Sequence, residues 1–229
     1  MKASATLRVG RDGWHVHAEA PFSIRRAAGR FLFVSSAAAP VRGDELDVTI
    51  DVEPGVRAEI GSVAAMILWP GPDGAPHGPP SRMTTTIRVG ADAHLEWAPE
   101  PTLSVAGSDH VARTTVELGD GATCRIVEEY ALGRHDESCG MLLTELRVTR
   151  QGRPVVHHGE RFAPGAPRHV LAAVLVGLPG EPFVHVGDDV RAACLPAAAP
   201  DTHLTLAQAR DRPSVTSWLR HAQPRGCVG

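Results

Sequence analysis

"DVTIDVEPGVRAEI" (residues 47–60) decides how the chain is read, because it recurs. "TTTIRVGADAHLEW" (84–97) and "RTTVELGDGATCRI" (113–126) align with it without a gap. Each opens on a run rich in β-branched residues with alternating apolar positions: Val48, Ile50 and Val52, then Ile87 and Val89, then Val116 and Leu118. A short turn, "EPGV", "GADA" or "GDGA", leads into a second alternating run, ending in Ala58 and Ile60, Leu95 and Trp97, or Cys124 and Ile126. Period two puts every other side chain on one face, the mark of a half-buried strand. Gly, Asp and Pro at the turn read as hairpin punctuation. Looser versions stand at 7–20 and 146–161. The expected fold is mainly β, with stacked β-hairpins in a solenoid or β-helix-like body; an ordinary antiparallel sheet with glycine turns is the alternative.

Outward from these units, residues 1–165 read as a β-rich scaffold body, interrupted by a mobile Pro/Gly loop at 70–82. Residues 166–229 read as a mixed region packed on the same domain. Short helices are expected at 187–195 (cap Asp188), at 201–211 (cap Asp201 or Thr202) and at 211–222. In the last, Pro213 suits a first helical turn, and Val215, Trp218 and Leu219 fall at i, i+3 and i+4.

Composition excludes several chemistries. Of 229 residues, 43% are hydrophobic but only 4% aromatic, so aliphatic residues must build the core. Lys2 is the only lysine, so neither a P-loop lysine nor a Schiff-base lysine is available. Acids outnumber bases, 26 to 23, which gives no nucleic-acid footprint. The four cysteines form no C-x-x-C pair and read as reduced, Cys124 as a core residue. No apolar leader opens the chain, and the longest apolar run, "VLAAVLVGL" (170–178), is too short to span a bilayer. The expectation is a cytoplasmic protein with no membrane partner.

Catalytic motifs are missing: no H-E-x-x-H, no G-x-S-x-G, no G-x-G-x-x-G after a strand. "GSDH" (107–110) places three triad residue types side by side, where an extended chain points neighbours apart, so Asp109 and His110 read as a turn. His15 with His17, and His158 with Glu160, each share a strand face, but two ligands make a weak metal site. They leave open a small nickel-binding protein. Glu96, Glu100 and Asp109 leave open a β-helical carbohydrate-active hydrolase or lyase, which would need two carboxylates about 5 Å apart or somewhat more. Alternation sends Glu96 to the face opposite Trp97, and Pro99 and Pro101 end that strand, leaving Glu100 as a surface residue.

Three stretches in order resemble the urease accessory protein D family (also called H): "GDELDVTIDVEPGVRAEI" (43–60), "LEWAPEPTLSVAGSDH" (95–110) and "EEYALGR" (128–134). The chain resembles a divergent member, with "GSVAAMILWPG" (61–71) where the family is Thr/Gln-rich and no Gly-Glu after Gly133-Arg134. The resemblance implies a non-catalytic chaperone scaffold that assists GTP-dependent nickel insertion into apo-urease. Its partners would be F-type and G-type accessory proteins and apo-urease, with GTP hydrolysis in a partner. No tightly bound cofactor is implied; nickel would be in transit, past carboxylates such as Asp44, Glu96 and Glu129. Gly43, Trp97, Pro99, Gly133 and Arg134 would be the partner-binding residues.

Overall fold

A computed structural model describes residues 1–71, 78–166, 168–178 and 180–217. In chain order the strands are β1 Lys2–Gly10, β2 Gly13–Ala18, β3 Phe22–Ala27, β4 Arg30–Ser35, β5 Glu45–Val52, β6 Arg57–Ser62, β7 Met66–Leu68, β8 Ser81–Val89 and β9 His94–Trp97. They continue as β10 Thr102–Ser104, β11 Asp109–Leu118, β12 Thr123–Leu132, β13 Met141–Arg150, β14 Arg153–Phe162, β15 His169–Val176, β16 Phe183–Val186, β17 Val190–Pro196 and β18 Thr202–Ala209. One helix, α1 (Arg212–Ser217), follows.

The strands form two mixed sheets. Sheet 1 has the order β14-β13-β11-β8-β5-β1-β2, parallel from β13 to β1 with antiparallel strands at its two edges. Sheet 2 has the order β16-β17-β18-β15-β12-β9-β6-β4-β3, parallel from β12 to β4 and antiparallel outside that stretch, with β10 and β7 attached beside β12. Among the described residues no helix is long and apolar enough to cross a membrane.

The three gapless units are not hairpins. In each, the first arm lies in sheet 1 (β5, β8, β11) and the second in sheet 2 (β6, β9, β12), and every arm hydrogen-bonds to the same arm of the next unit. Period two fixes which side of an arm is apolar. It says nothing about whether the arm's backbone edge meets its own partner or a neighbour. The looser pairs are the true hairpins: β1 with β2, and β13 with β14, the latter closed by Gln151 and Gly152, both at positive φ as a tight two-residue turn requires.

Stacking in register aligns like residues. Leu7, Ile50, Ile87, Val116 and Val148 pair in one row across sheet 1 and are fully buried. Ala58, Leu95, Cys124 and Val176 form a corresponding row in sheet 2, and both rows belong to one core cluster. Burial pushes the Cys124 thiol up to about 12, as befits a core residue. The corners stack as well. Each has a left-handed residue at the same place (Gly55, Asp92, Gly121), and the amides of Gly55 and Asp92 donate to the carbonyls of Ala91 and Asp120 in the next corner. The corners pack so closely that a Cβ on Gly119 would lie 2.7 Å from the Ala91 nitrogen. On the outer side of sheet 1, Arg8, Arg88 and Arg113 pair with Glu53, Asp51 and Glu145.

The C-terminal part departs from expectation. Residues 190–196 and 202–209 are strands, not helices. "THLTLAQA" alternates Thr205, Ala207 and Ala209 on the buried side, and that period, paired with its neighbours in sheet 2, outweighs the helix caps in front of it. The run at 169–176 is a strand buried along nearly all its length and paired with β12, so these strands extend sheet 2. Among the described residues the only helix is α1, with Asp211 accepting from the Ser214 amide at its start. Trp218 and Leu219, and residues 72–77 of the Pro/Gly loop, lie outside the described residues.

Candidate functional site: a window in sheet 2

"LEWAPEPTLS" (95–104) breaks the ladder of sheet 2. β9 ends at Trp97, the chain passes Pro99 and Pro101, which have no N–H to donate, and pairing resumes at Thr102 in β10. One unit earlier, β6 ends at Ser62 and β7 begins at Met66. β12 runs past both breaks: it pairs with β9 up to Ile126 and with β10 from Tyr130. Sheet 2 therefore has a window beside Val127, Glu128 and Glu129. Its edges are tied by Ala98 N to Ile60 O (3.0 Å), Met66 N to Pro101 O (3.1 Å) and Glu100 N to Ser62 Oγ (2.9 Å).

The window opens into a cleft of about 370 Å³ between the sheets. Phe33, Trp97 and Tyr130 line it from sheet 2, and Leu46, Met83 and Thr114 from sheet 1. Phe33 and Trp97 meet edge to face at 5.9 Å. Three carboxylates also line it: Glu100, Glu128 and Glu129.

These acids are held in different ways. Glu128 and Glu129 are neighbours on one strand and point to opposite sides. Glu128 faces sheet 1, where Thr114 Oγ1 donates to its Oε1 (2.5 Å) and Tyr130 OH to its Oε2 (3.3 Å). Burial pushes its carboxyl above the usual range, opposed by those two hydroxyls and by His158. Glu129 faces α1. Arg212 donates through Nε to Glu129 Oε1 (2.9 Å) and through Nη2 to Glu100 Oε2 (3.0 Å), clasping two acids that lie 83 and 112 residues away. Burial also raises Glu129, and Arg212 pulls it back. Val215 anchors the helix, fully buried among Val127, Leu171, Ala173 and Ala207.

Of the residues singled out in the sequence, Trp97, Pro99 and Glu129 line the cleft. Glu96 does not: it faces away and accepts from Arg125 Nη1 at 2.6 Å. Asp44 is buried outside the cleft lining, bonded to the Val41 amide (2.7 Å) and to the Met1 ammonium. Gly43 turns the chain in front of it at φ 87°. Gly133 has φ 88°, and a Cβ there would meet the Glu137 carbonyl at 2.2 Å. Arg134 stacks its guanidinium over Trp69, 5.2 Å from the ring centroid, and Trp69 lines the cleft.

Other expectations are corrected. Glu100 does stay at the surface, 43% exposed, but it is not idle there, since Arg212 holds it at the cleft. Asp109 and His110 do not form a turn but open β11. Asp109 pairs with Arg42 (3.2 Å), and His110 is buried with Nδ1 2.8 Å from Ser81 Oγ. Burial lowers that imidazole to about 4. The acids of the hydrolase alternative are thus each paired with a separate arginine, and only Glu100 reaches the cleft. His15 and His17 are exposed on β2, and His158 Nε2 lies 3.2 Å from Glu160. Among the described residues no group of three His, Cys, Asp or Glu side chains is placed to hold a metal. Sequence reasoning missed Thr114, Tyr130 and Arg212; the one available signal was two adjacent acids on an otherwise apolar strand.

The family model for the UreD urease accessory protein matches residues 4–215. The chain belongs to the UreD family. It is 36% identical over 179 residues to urease accessory protein UreD 3 of Streptomyces griseus subsp. griseus, covering 73% of this chain and 69% of the relative. Against UreD of Streptomyces coelicolor it is 34% identical over 178 residues, covering 73% and 68%. UreD of Frankia casuarinae is 40% identical over 144 residues, 62% of this chain but only 42% of that longer protein. The match to the family model contains both sheets, the window and most of α1.

Proposed function

We propose that this chain is a non-catalytic urease maturation factor, a cytoplasmic scaffold that works with other accessory proteins on apo-urease. The observation that carries the reading is the UreD family match along almost the whole described chain. The finer reading has F-type and G-type proteins as partners, GTP hydrolysed in the G-type partner, and nickel as cargo, not as a resident cofactor. In this reading the strands wind as a solenoid-like body, with 1–165 and 166–229 packed as one domain.

The window supports a transit role. It opens the interior of a β body through one sheet and brings carboxylates to the opening. Carboxylate oxygens in small number hold a divalent cation loosely enough to release it, unlike a His/Cys cage. Glu129 is the acid best placed for this, while Glu96 and Asp44 would act outside the cleft. The test is reconstitution of urease with its accessory set, reading nickel per active site. Omitting this chain is expected to leave urease largely nickel-free, and Glu129→Gln or Arg134→Gln to lower loading several-fold. Full loading without the chain would end the proposal.

A further inference from the structure

Glu128 is the one cleft carboxylate that forms no ion pair. Among the described residues no Arg, Lys or His nitrogen lies within 4 Å of it, whereas Glu129 and Glu100 share Arg212. The neighbouring His158 is turned to Glu160, at 3.2 Å. A buried carboxylate in this position either stays protonated or waits for a positive charge from outside. Its hydrogen bonds favour the second state. Thr114 donates to one oxygen and Tyr130 to the other. Each oxygen therefore keeps a free lone pair on a fixed carboxylate, the arrangement a planar guanidinium fork takes up.

The surroundings say what carries that charge. The walls are apolar and aromatic, which suits an alkyl stem bearing a cationic head. The mouth is rimmed by Ala37, Ala38, Ala64, Ala65 and Val63, all exposed, Val63 by 55%. A small ligand inside the cleft would leave this apolar rim in water, whereas a protein segment lying across it would cover both.

We propose that the window is a docking site for a segment of a partner protein that inserts an arginine side chain over Glu128 and lays apolar residues on the alanine and valine rim. The inference does not depend on the urease reading, because its test contains no urease.

The experiment titrates the full chain calorimetrically with acetyl-Ala-Leu-Arg-Leu-Ala-amide and with its twin carrying citrulline, which is neutral and of the same shape, in place of arginine. The arginine peptide is expected to bind at least tenfold tighter. Glu128→Gln, with an unchanged circular dichroism spectrum, should bring the two peptides to within twofold of each other. Val63→Asp, on an exposed residue and so compatible with folding, should weaken both peptides and keep their ratio. n-Butylguanidinium should bind at least tenfold more weakly than the arginine peptide. Equal affinity for the two peptides, no saturable binding, or an arginine preference that survives Glu128→Gln would overturn the proposal. Butylguanidinium binding as tightly as the peptide would overturn the protein-segment part of it.

Discussion

Arg212→Gln is the perturbation whose cost the structure sets most narrowly. The Glu129 side chain is 4% exposed, while Arg212 and Glu100 are 46% and 43% exposed. Removing the guanidinium leaves Glu129 buried without its counter-charge. Breaking a fully buried pair costs about 3–5 kcal/mol, and an exposed pair contributes about 0–1 kcal/mol. With one partner buried and the other half in water, the expected loss is about 2 kcal/mol. Glu100→Gln should cost no more than about 0.5 kcal/mol, since both its charge and the guanidinium are half solvated. Because one guanidinium serves Glu129, the double variant Arg212→Gln/Glu129→Gln should be less destabilised than the sum of the singles, by about 1 kcal/mol or more. The sign with pH follows. Without Arg212 nothing opposes the burial that raises Glu129, so the cost is full at neutral pH and shrinks on acidification as the carboxyl takes up a proton. The assay is urea unfolding of the wild type, the three single variants (Arg212→Gln, Glu100→Gln and Glu129→Gln) and the double variant at pH 7.5 and pH 5. At a slope of about 2 kcal/mol per molar, the midpoint of Arg212→Gln should fall by about 1 M at the higher pH. Additive single and double variants, or Glu100→Gln as costly as Glu129→Gln, would show that α1 is held by Val215 packing alone.

Three further substitutions test the frame. His110, lowered from 6.5 to about 4 by burial, is neutral in the folded protein, so stability is full above 6.5 and declines as pH falls toward 4. The gap corresponds to about 3 kcal/mol at about 1.4 kcal/mol per pH unit, and His110→Gln should flatten that limb in thermal melts between pH 7 and pH 4. Gly119→Ala should cost about 2–3 kcal/mol, since its Cβ would be driven into Ala91 backbone. Gly121→Ala should cost about 1 kcal/mol, as its close neighbour is the movable Asp92 carboxylate and the main penalty is φ +63°. The reverse order in chemical denaturation would contradict the stacked-corner account.

The legible part of the fold was the alternation. It assigned the inward positions of all three repeated units correctly, from Val48 to Ile126, and marked Cys124 as core. The pairing of the arms was not legible, because alternation is identical for a hairpin and for two strands that face each other across a core. The start of α1 could be read from Asp211 and Pro213, which act locally. The strands at 190–196 and 202–209 were hidden behind cap-like aspartates whose signal tertiary pairing overrode. At the site, Pro99 and Pro101 announced a broken strand, while Glu129 came only from the family resemblance. The clasp that gives Glu129 and Glu100 their partner joins residues far apart in sequence, and no local pattern encodes it.

The nickel content of urease reports this chain's role in maturation without an intermediate step. Urease purified from cells expressing the complete accessory set should hold close to its full complement of nickel by metal analysis. Deleting this chain alone should leave the apo-enzyme at normal abundance with little nickel, and restoring the chain should restore the metal. Fully metallated urease in the deletion strain would contradict the account.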